Sequence, residues 1–334
     1  MSGSRRILVT GGAGFIGSNI VARLSAAGGF EIAVCDRLRL ASGGKWRNLV
    51  NHSIDDFVAP EALFDWLDAN GARLDAVIHM GAISSTMEED ADKIIHTNFS
   101  LSRDLHRWCV TNDTRLIYAS SAATYGDGAL GFDGKDDLKS LQALRPLNAY
   151  GWSKALFDVF SRRQALAGST PPQWAGLKFF NVFGPNEYHK GPMKSVAAKI
   201  WPIASDGQTV RLFKSHNPGY ADGGQLRDFV YVKDAADVVA WLLDHPDVSG
   251  IYNLGSGEAR SFKDLAEAVF KAAGKTPDIV YDDMPDALRA QYQYYTKADI
   301  SRLRAAGYTA PMTSLEDGVA DYVRSYLSAA DPYR

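Results

Sequence analysis

Two cysteines in 334 residues rule out a disulfide scaffold. Cys35 and Cys109 stand in apolar runs, outside any CxxC or Cys/His cluster, which predicts buried inert thiols and no metal site. An excess of one charge is missing too. Thirty-six Lys+Arg against 39 Asp+Glu give a formal net charge of −3, unlike the basic footprint of a nucleic-acid or membrane-surface protein. A small anionic ligand, which needs only a few local cations, stays compatible with this balance. No apolar run approaches the ~18 residues of a membrane helix. The run Ile7–Val9 after the basic start is too short for a signal-peptide core. A cytoplasmic protein is expected. There is no fixed-period repeat and no low-complexity tract.

What is present is an ordinary globular composition, 46% hydrophobic and 22% charged. The length suits about two domains at roughly 150 residues each. Over the first 120 residues apolar runs alternate with helical patterns. Ile7–Thr10, Glu31–Asp36, Asp75–His79 and Arg115–Ala119 read as strands; Phe15–Ala27, Pro60–Asn70 and Ala91–Thr111 read as helices. Continuous apolar strands separated by helices predict a parallel sheet covered on both faces. Beyond residue 181 the pattern loosens. A helix is expected over Met193–Ser205, an exposed loop over Ser215–Gly224, strands at 229–232, 251–254 and 278–281, and helices at 235–243, near 262–273 and at 314–327. The fold expected is an α/β, Rossmann-type doubly wound parallel sheet with a smaller C-terminal α/β substrate lobe. Residues 1–180 with about 230–255 form the first unit, and about 181–229 and 256–334 the second.

Gly11-Gly12-Ala13-Gly14-Phe15-Ile16-Gly17 follows the first strand and opens the first helix. Glycine permits the tight turn and a close backbone approach to a pyrophosphate, whose charge the free N–H groups of the helix start would hold. Asp36 ends the second strand, placed to bond an adenine-ribose hydroxyl. A carboxylate there favours NAD, because it repels a 2′-phosphate. Arg37, Arg39 and Lys45 follow at once and would pair with that phosphate. NADP is the cofactor expected, with NAD as the other candidate.

Tyr150 and Lys154 are four apart, on one face of a helix. A free phenol with a pKa of about 10 is a poor base at neutral pH. A neighbouring ammonium is expected to draw it down. Ser120-Ser121, at the end of the strand Leu116–Ala119, supplies a hydroxyl to polarise a substrate carbonyl or alcohol.

These motifs, with Tyr118–Gly126 and Arg227-Asp228-Phe229-Val230-Tyr231-Val232, resemble the extended short-chain dehydrogenase/reductase superfamily over nearly the whole chain. That branch acts largely on nucleotide-activated sugars. Gly81–Thr86, Phe180–Pro185, His189-Lys190-Gly191 and Leu303–Tyr308 resemble, more narrowly, its ADP-heptose 6-epimerases. The resemblance implies transient oxidation at C6 of an ADP-heptose to a ketone and hydride return to the opposite face, in lipopolysaccharide core precursor synthesis. It also implies a homo-oligomer, a pentamer.

One base cannot easily serve both configurations of one carbon, so a second acid/base is expected. The family pattern puts Lys190 in that role opposite Tyr150, with Ser121 and Lys154 completing the catalytic set. The resemblance further assigns Gly11, Gly14, Phe15, Ile16, Gly17, Asp36, Arg37, Lys45, Met80, Gly81, Ala82, Ile83, Ser84, Asn98, Val182, Lys154 and Lys190 to the cofactor. Ser121, Asn181, Lys199, Phe213, Arg227 and Tyr292 fall to the substrate, with the Arg227 guanidinium on the pyrophosphate. The chain departs from the family pattern at Met80, Pro192 and Lys199, where an acidic residue, a serine and a histidine are expected, and in the long loop 215–224. A 4,6-dehydratase would carry an Asp-Glu pair where Ala122-Ala123 stand. A UDP-hexose 4-epimerase would use the same Tyr/Lys/Ser set and stays open. A catalytically silent dinucleotide sensor would be expected to have lost the tyrosine–lysine pair.

Overall fold

The computed structural model describes residues 4–38, 44–289 and 292–334. The first strands are β1 (Arg5–Thr10), β2 (Phe30–Cys35), β3 (Asp56–Val58), β4 (Leu74–His79), β5 (Arg115–Ser121) and β6 (Trp174–Phe179). They are followed by β7 (Asn181–Phe183), β8 (Val210–Phe213), β9 (Leu226–Tyr231), β10 (Gly250–Leu254), β11 (Ala259–Ser261) and β12 (Ile279–Asp282). Seven of them pair in the order β3-β2-β1-β4-β5-β6-β10, every pair parallel. The winding direction reverses between β1 and β4. The loops leaving those two strands therefore part and open a crevice at their carboxyl ends.

Both faces of the sheet are covered, which is why its strands are apolar throughout. On one side Ile7, Val9, Ile78 and Ile117 pack with the helices Phe15–Ala27 and Val232–Asp244. On the other Leu8, Val77, Leu116 and Tyr118 meet the helices Leu63–Asn70, Leu101–Thr111 and Ala149–Leu166. A separate core gathers Phe183, Leu212, Phe229, Tyr231, Leu265 and Val319 from the later segments. Phe15, the first residue of the glycine-loop helix, belongs to that core as well. Among the described residues no helix is long and apolar enough to cross a membrane.

Several boundaries differ from the sequence reading. The helix expected from Met193 begins at Val196, because Ser195 caps it by accepting from Ala198 N–H. Residues Tyr188–Met193 form a separate 3₁₀ turn, broken at Gly191 (φ 53°) next to Pro192. Pro60–Ala62 is likewise a 3₁₀ turn ahead of the helix at Leu63. β5 runs on through Ser120 and Ser121, so the serines are strand residues. Within Ala91–Thr111 the turns of Ile95–Ser100 widen to a π-helix. β3, β7 and β11, three residues each, are too short to show a period. The loop 215–224 is largely exposed, with Gly223 buried under Tyr281 and Leu212.

Behind β5 lies a buried ion pair. Lys178 Nζ donates to Asp158 Oδ2 at 2.6 Å, and each side chain is 1% exposed. Ser120 Oγ donates to the same oxygen at 2.7 Å and Tyr118 to Oδ1 at 3.2 Å. Lys178 also donates to Thr124 Oγ1 at 2.6 Å. Removing one partner would strand a charge in the core. Asp158→Ala is expected to cost about 3–5 kcal/mol, read as a lower midpoint in urea unfolding.

Candidate active site

The glycine loop is built for close approach. Gly11 lies at φ 67°, and a Cβ there would stand 2.6 Å from Gly81 N. A Cβ at Gly17 would stand 2.2 Å from Gly11 O. The backbones leaving β1 and β4 thus touch, and larger residues would prise them apart. The N-cap, Gly14, has no side chain to satisfy the first turn of Phe15–Ala27, so the helix start faces the crevice with free N–H donors. Gly11, Gly14, Phe15, Ile16 and Gly17 line a cleft of about 320 Å³ with Met80, Gly81, Ala82, Ser84 and Val182. An uncapped helix start beside glycine backbone fits a dinucleotide pyrophosphate.

Asp36 closes one end of this cleft. Its Oδ2 accepts from Ala13 N at 2.9 Å; its Oδ1 accepts from Arg37 N at 2.7 Å and from Lys45 Nζ at 2.5 Å. Lys45 lines the cleft, whereas Arg37 does not. The exposed Arg37 guanidinium pairs with Glu61 at 2.6 Å instead. Arg39 lies outside the described residues. Ile83 and Asn98 do not line the cleft either. Asn98 clamps the loop behind it, accepting from Ile83 N at 2.8 Å and donating to Ile83 O at 2.9 Å and Ser153 Oγ at 3.1 Å.

Tyr150, Lys154, Ser121 and Lys190 all line the cleft. Asn148 caps the Tyr150 helix by accepting from Gly151 N–H, which sets its first turn against the end of β5. Lys154 is 3% exposed and donates to Ala119 O at 2.9 Å. Burial pulls its pKa down to about 8, against the pull of Asp158. The phenol departs from the sequence expectation. Burial raises the Tyr150 pKa, the Ser121 hydroxyl bonded to it works the other way, and Asp158 adds to the rise. The Lys154 ammonium, turned to Ala119 O, does not offset this desolvation, so the phenol stays protonated at neutral pH. Ser120, indistinguishable from Ser121 by sequence, spends its hydroxyl on Asp158.

Lys190 comes from the other wall, with Nζ 5.2 Å from the centroid of the Phe15 ring. Burial lowers its pKa, Glu187 opposes the shift, and Lys199 adds to it. Glu187 itself is fully buried, accepting from Ser195 Oγ at 2.6 Å and Tyr322 at 3.1 Å. Lys199 is exposed and lines no part of the cleft. His189, which the sequence reading used only as part of a motif, does line it. Burial holds its pKa at about 4, so the ring is neutral beside Asn48 at 3.2 Å. Phe180, quoted only as the start of a motif, and Phe179, not singled out, also line the cleft.

Arg227, Tyr292, Asn181 and Phe213 stand outside the cleft wall. Arg227 is 9% exposed, over the rings of Phe262 at 5.5 Å and Tyr292 at 5.3 Å. Asp228 does not neutralise it. That carboxylate accepts from Ser256 N, Gly257 N and Ala298 N. Among the described residues Arg227 has no carboxylate partner, which leaves a buried cation free to bind an anion. Thr296 ties this site to Asn181, donating to Asn181 Oδ1 at 3.5 Å and accepting from Asp228 N at 3.1 Å. Phe213 ends β8, 38% exposed.

Residues 7–255 match the model of the NAD dependent epimerase/dehydratase family. The chain belongs to that family. Its members' nicotinamide dinucleotide is the cofactor that the glycine loop and Asp36 fit. A family relative from Nitratidesulfovibrio vulgaris, named ADP-L-glycero-D-manno-heptose-6-epimerase, is 48% identical over 98% of this chain and 99% of its own. The structure of the Helicobacter pylori protein of that name superposes with a TM-score of 0.79 at 28% identity, covering 96% of each chain. The Thermus thermophilus UDP-glucose 4-epimerase in complex with NAD gives 0.75 at 28% identity, over 97% of this chain and 100% of its own.

The depressed pKa of Lys154 has a consequence for stability. Below about 8 the folded protein carries this buried charge at a cost the unfolded chain does not bear. Between about 8 and the ordinary lysine value the folded state sheds the proton first, so this group's contribution to stability rises with pH. In urea unfolding of the dinucleotide-free protein across that window, the stability difference between wild type and Lys154→Met is expected to shift in favour of wild type as pH rises, the buried thiols of Cys35 and Cys109 acting alike in both.

Proposed function

We propose that the chain epimerises an ADP-linked heptose at C6, interconverting ADP-D-glycero- and ADP-L-glycero-β-D-manno-heptose. The full-length relationship to proteins of that name supports the substrate. The observation that carries the mechanism is that two acid/base groups, Tyr150 and Lys190, line one cleft. A nicotinamide dinucleotide, held by the glycine loop, Asp36 and Lys154, would supply hydride exchange at C6. Lys190, an amine drawn below its ordinary range, takes the C6 hydroxyl proton from one epimer as the C6–H leaves as hydride. Tyr150, a phenol held protonated, gives a proton to the ketone oxygen when hydride returns to the other face. The forward passage leaves an ammonium on Lys190 and a phenolate on Tyr150; in the reverse direction that phenolate takes the proton back and the ammonium gives its own to the ketone oxygen. Ser121 holds that oxygen beside the phenol, and the Lys154 ammonium holds the cofactor ribose. Arg227 grips the substrate pyrophosphate, with Asn181, Tyr292, Phe213 and Lys199 on the sugar and nucleotide. Met80, Gly81, Ala82 and Val182 frame the cofactor, and Asn98 positions Ile83 and Ser84.

Lys45, paired with Asp36, supports NADP, since a cation there offsets the carboxylate beside a 2′-phosphate. The same reading carries cytoplasmic supply of a lipopolysaccharide core precursor and a homo-oligomer, a pentamer. The first unit holds the dinucleotide and the later segments hold the sugar.

Purified protein incubated with ADP-heptose or with UDP-hexoses, its products read by NMR, tests the assignment. Inversion at C6 of ADP-heptose is expected; turnover of a UDP-hexose with ADP-heptose untouched overturns it. Tyr150→Phe and Lys190→Ala are each expected to lower kcat by about 10²-fold or more. The mass of the nucleotide released on denaturation is expected to be that of NADP; that of NAD would refute the cofactor choice.

A further inference from the structure

The last four residues bridge the turn 186–188, the glycine-loop helix and the segment that follows Leu49. Tyr188 donates its hydroxyl to Pro332 O at 2.7 Å, and its ring meets Tyr333 edge-on at 5.3 Å. Arg334 N donates to Asn186 Oδ1 at 2.9 Å. Asn186, fully buried at φ 73°, donates in turn to Ser18 Oγ at 3.0 Å. These contacts grip the segment that carries Lys190 two residues beyond Tyr188. On the opposite side the Arg334 guanidinium donates to Asn19 Oδ1 at 3.1 Å. His52 Nε2 lies 2.8 Å from Arg334 O, and Asn51 Nδ2 donates to Asp331 Oδ2 at 3.1 Å. Asn51 and His52 follow the short helical segment Lys45–Leu49, whose Lys45 meets Asp36.

We infer that residues 331–334 are a positioning strap for Lys190, fixing the turn 186–190 against the glycine-loop helix and the Lys45 wall. Among the described residues, the tail's hydrogen bonds to the rest of the chain fall on residues 19, 51, 52, 186 and 188. None falls on the helix Ala149–Leu166 that carries Tyr150 and Lys154. The strap therefore acts on one of two acid/base groups. A displacement on the order of 1 Å at a reacting group costs up to about 10²-fold in rate; the turn is also anchored by Glu187 on Ser195 and Tyr322 and by Asn48 on Asn186 O, so the strap trims its position and does not hold it alone.

The inference rests on the proposed role of Lys190, and the test separates the two. Single-turnover reduction of bound dinucleotide, at saturating dinucleotide, is measured with each ADP-heptose epimer in turn. Lys190→Ala defines which epimer depends on the lysine. Chain termination after Ala330 is expected to slow reduction by that epimer about 10-fold and to leave the other within about two-fold. Tyr188→Phe, which removes one bond, is expected to act in the same sense and more weakly, and carries the test if the shortened chain does not fold. Equal slowing of both epimers, or slowing of neither, overturns the strap. If Lys190→Ala itself spares both epimers, the lysine's role fails instead, and the strap falls with it.

Discussion

The removal of two amines and a phenol from water, in one cleft, is the constraint on which the rest of this structure depends. Desolvation works in opposite directions on the two kinds of group. It pulls Lys154 and Lys190 down and pushes Tyr150 up. The outcome is a cleft whose amines give up a proton more readily than in water and whose phenol holds its proton more tightly. Passing a proton through the substrate leaves such a pair as an ammonium and a phenolate, opposite charges in one cleft. The neighbours set the balance. Ala119 O accepts from Lys154, Ser121 bonds the phenol, and Glu187 partly restores the Lys190 charge.

The fold supplies that cleft by geometry. Parallel strands end together, and the reversal between β1 and β4 leaves their loops facing. Glycine at 11 and 81 lets those loops touch, as a Cβ at 11 could not, and glycine at 17 lets the helix start close on Gly11. Phe15 then joins the sheet to the later segments. It starts the glycine-loop helix, packs in the second core, and lies under the Lys190 ammonium. A chain folded this way brings β5, the Tyr150 helix and the 186–190 turn to one place, although 70 residues separate Ser120 from Lys190 in the sequence.

The strands β1, β2, β4, β5 and β10 were legible as continuous apolar runs; β6 was not, since Lys178 interrupts its run and it leads straight into β7. The glycine loop and the Tyr150–Lys154 spacing were legible because both are local patterns. What could not be read was where polar groups spend their bonds. Ser120 and Ser121 are alike until Asp158, from a helix 38 residues on, engages one of them. Arg37 and Lys45 are alike until Glu61 takes the arginine. The phenol's direction of shift depends on burial, which no spacing reports. The tail's role was invisible for the same reason, since Tyr188 meets Pro332 only in three dimensions.

The central claim is that one carbon is oxidised and re-reduced within a single cleft. ADP-heptose deuterated at C6 tests it most directly. The account predicts that the product is inverted at C6 and retains the deuterium, carried away and returned on the bound dinucleotide. Inversion with loss of deuterium to solvent, or a product unchanged at C6, would contradict it.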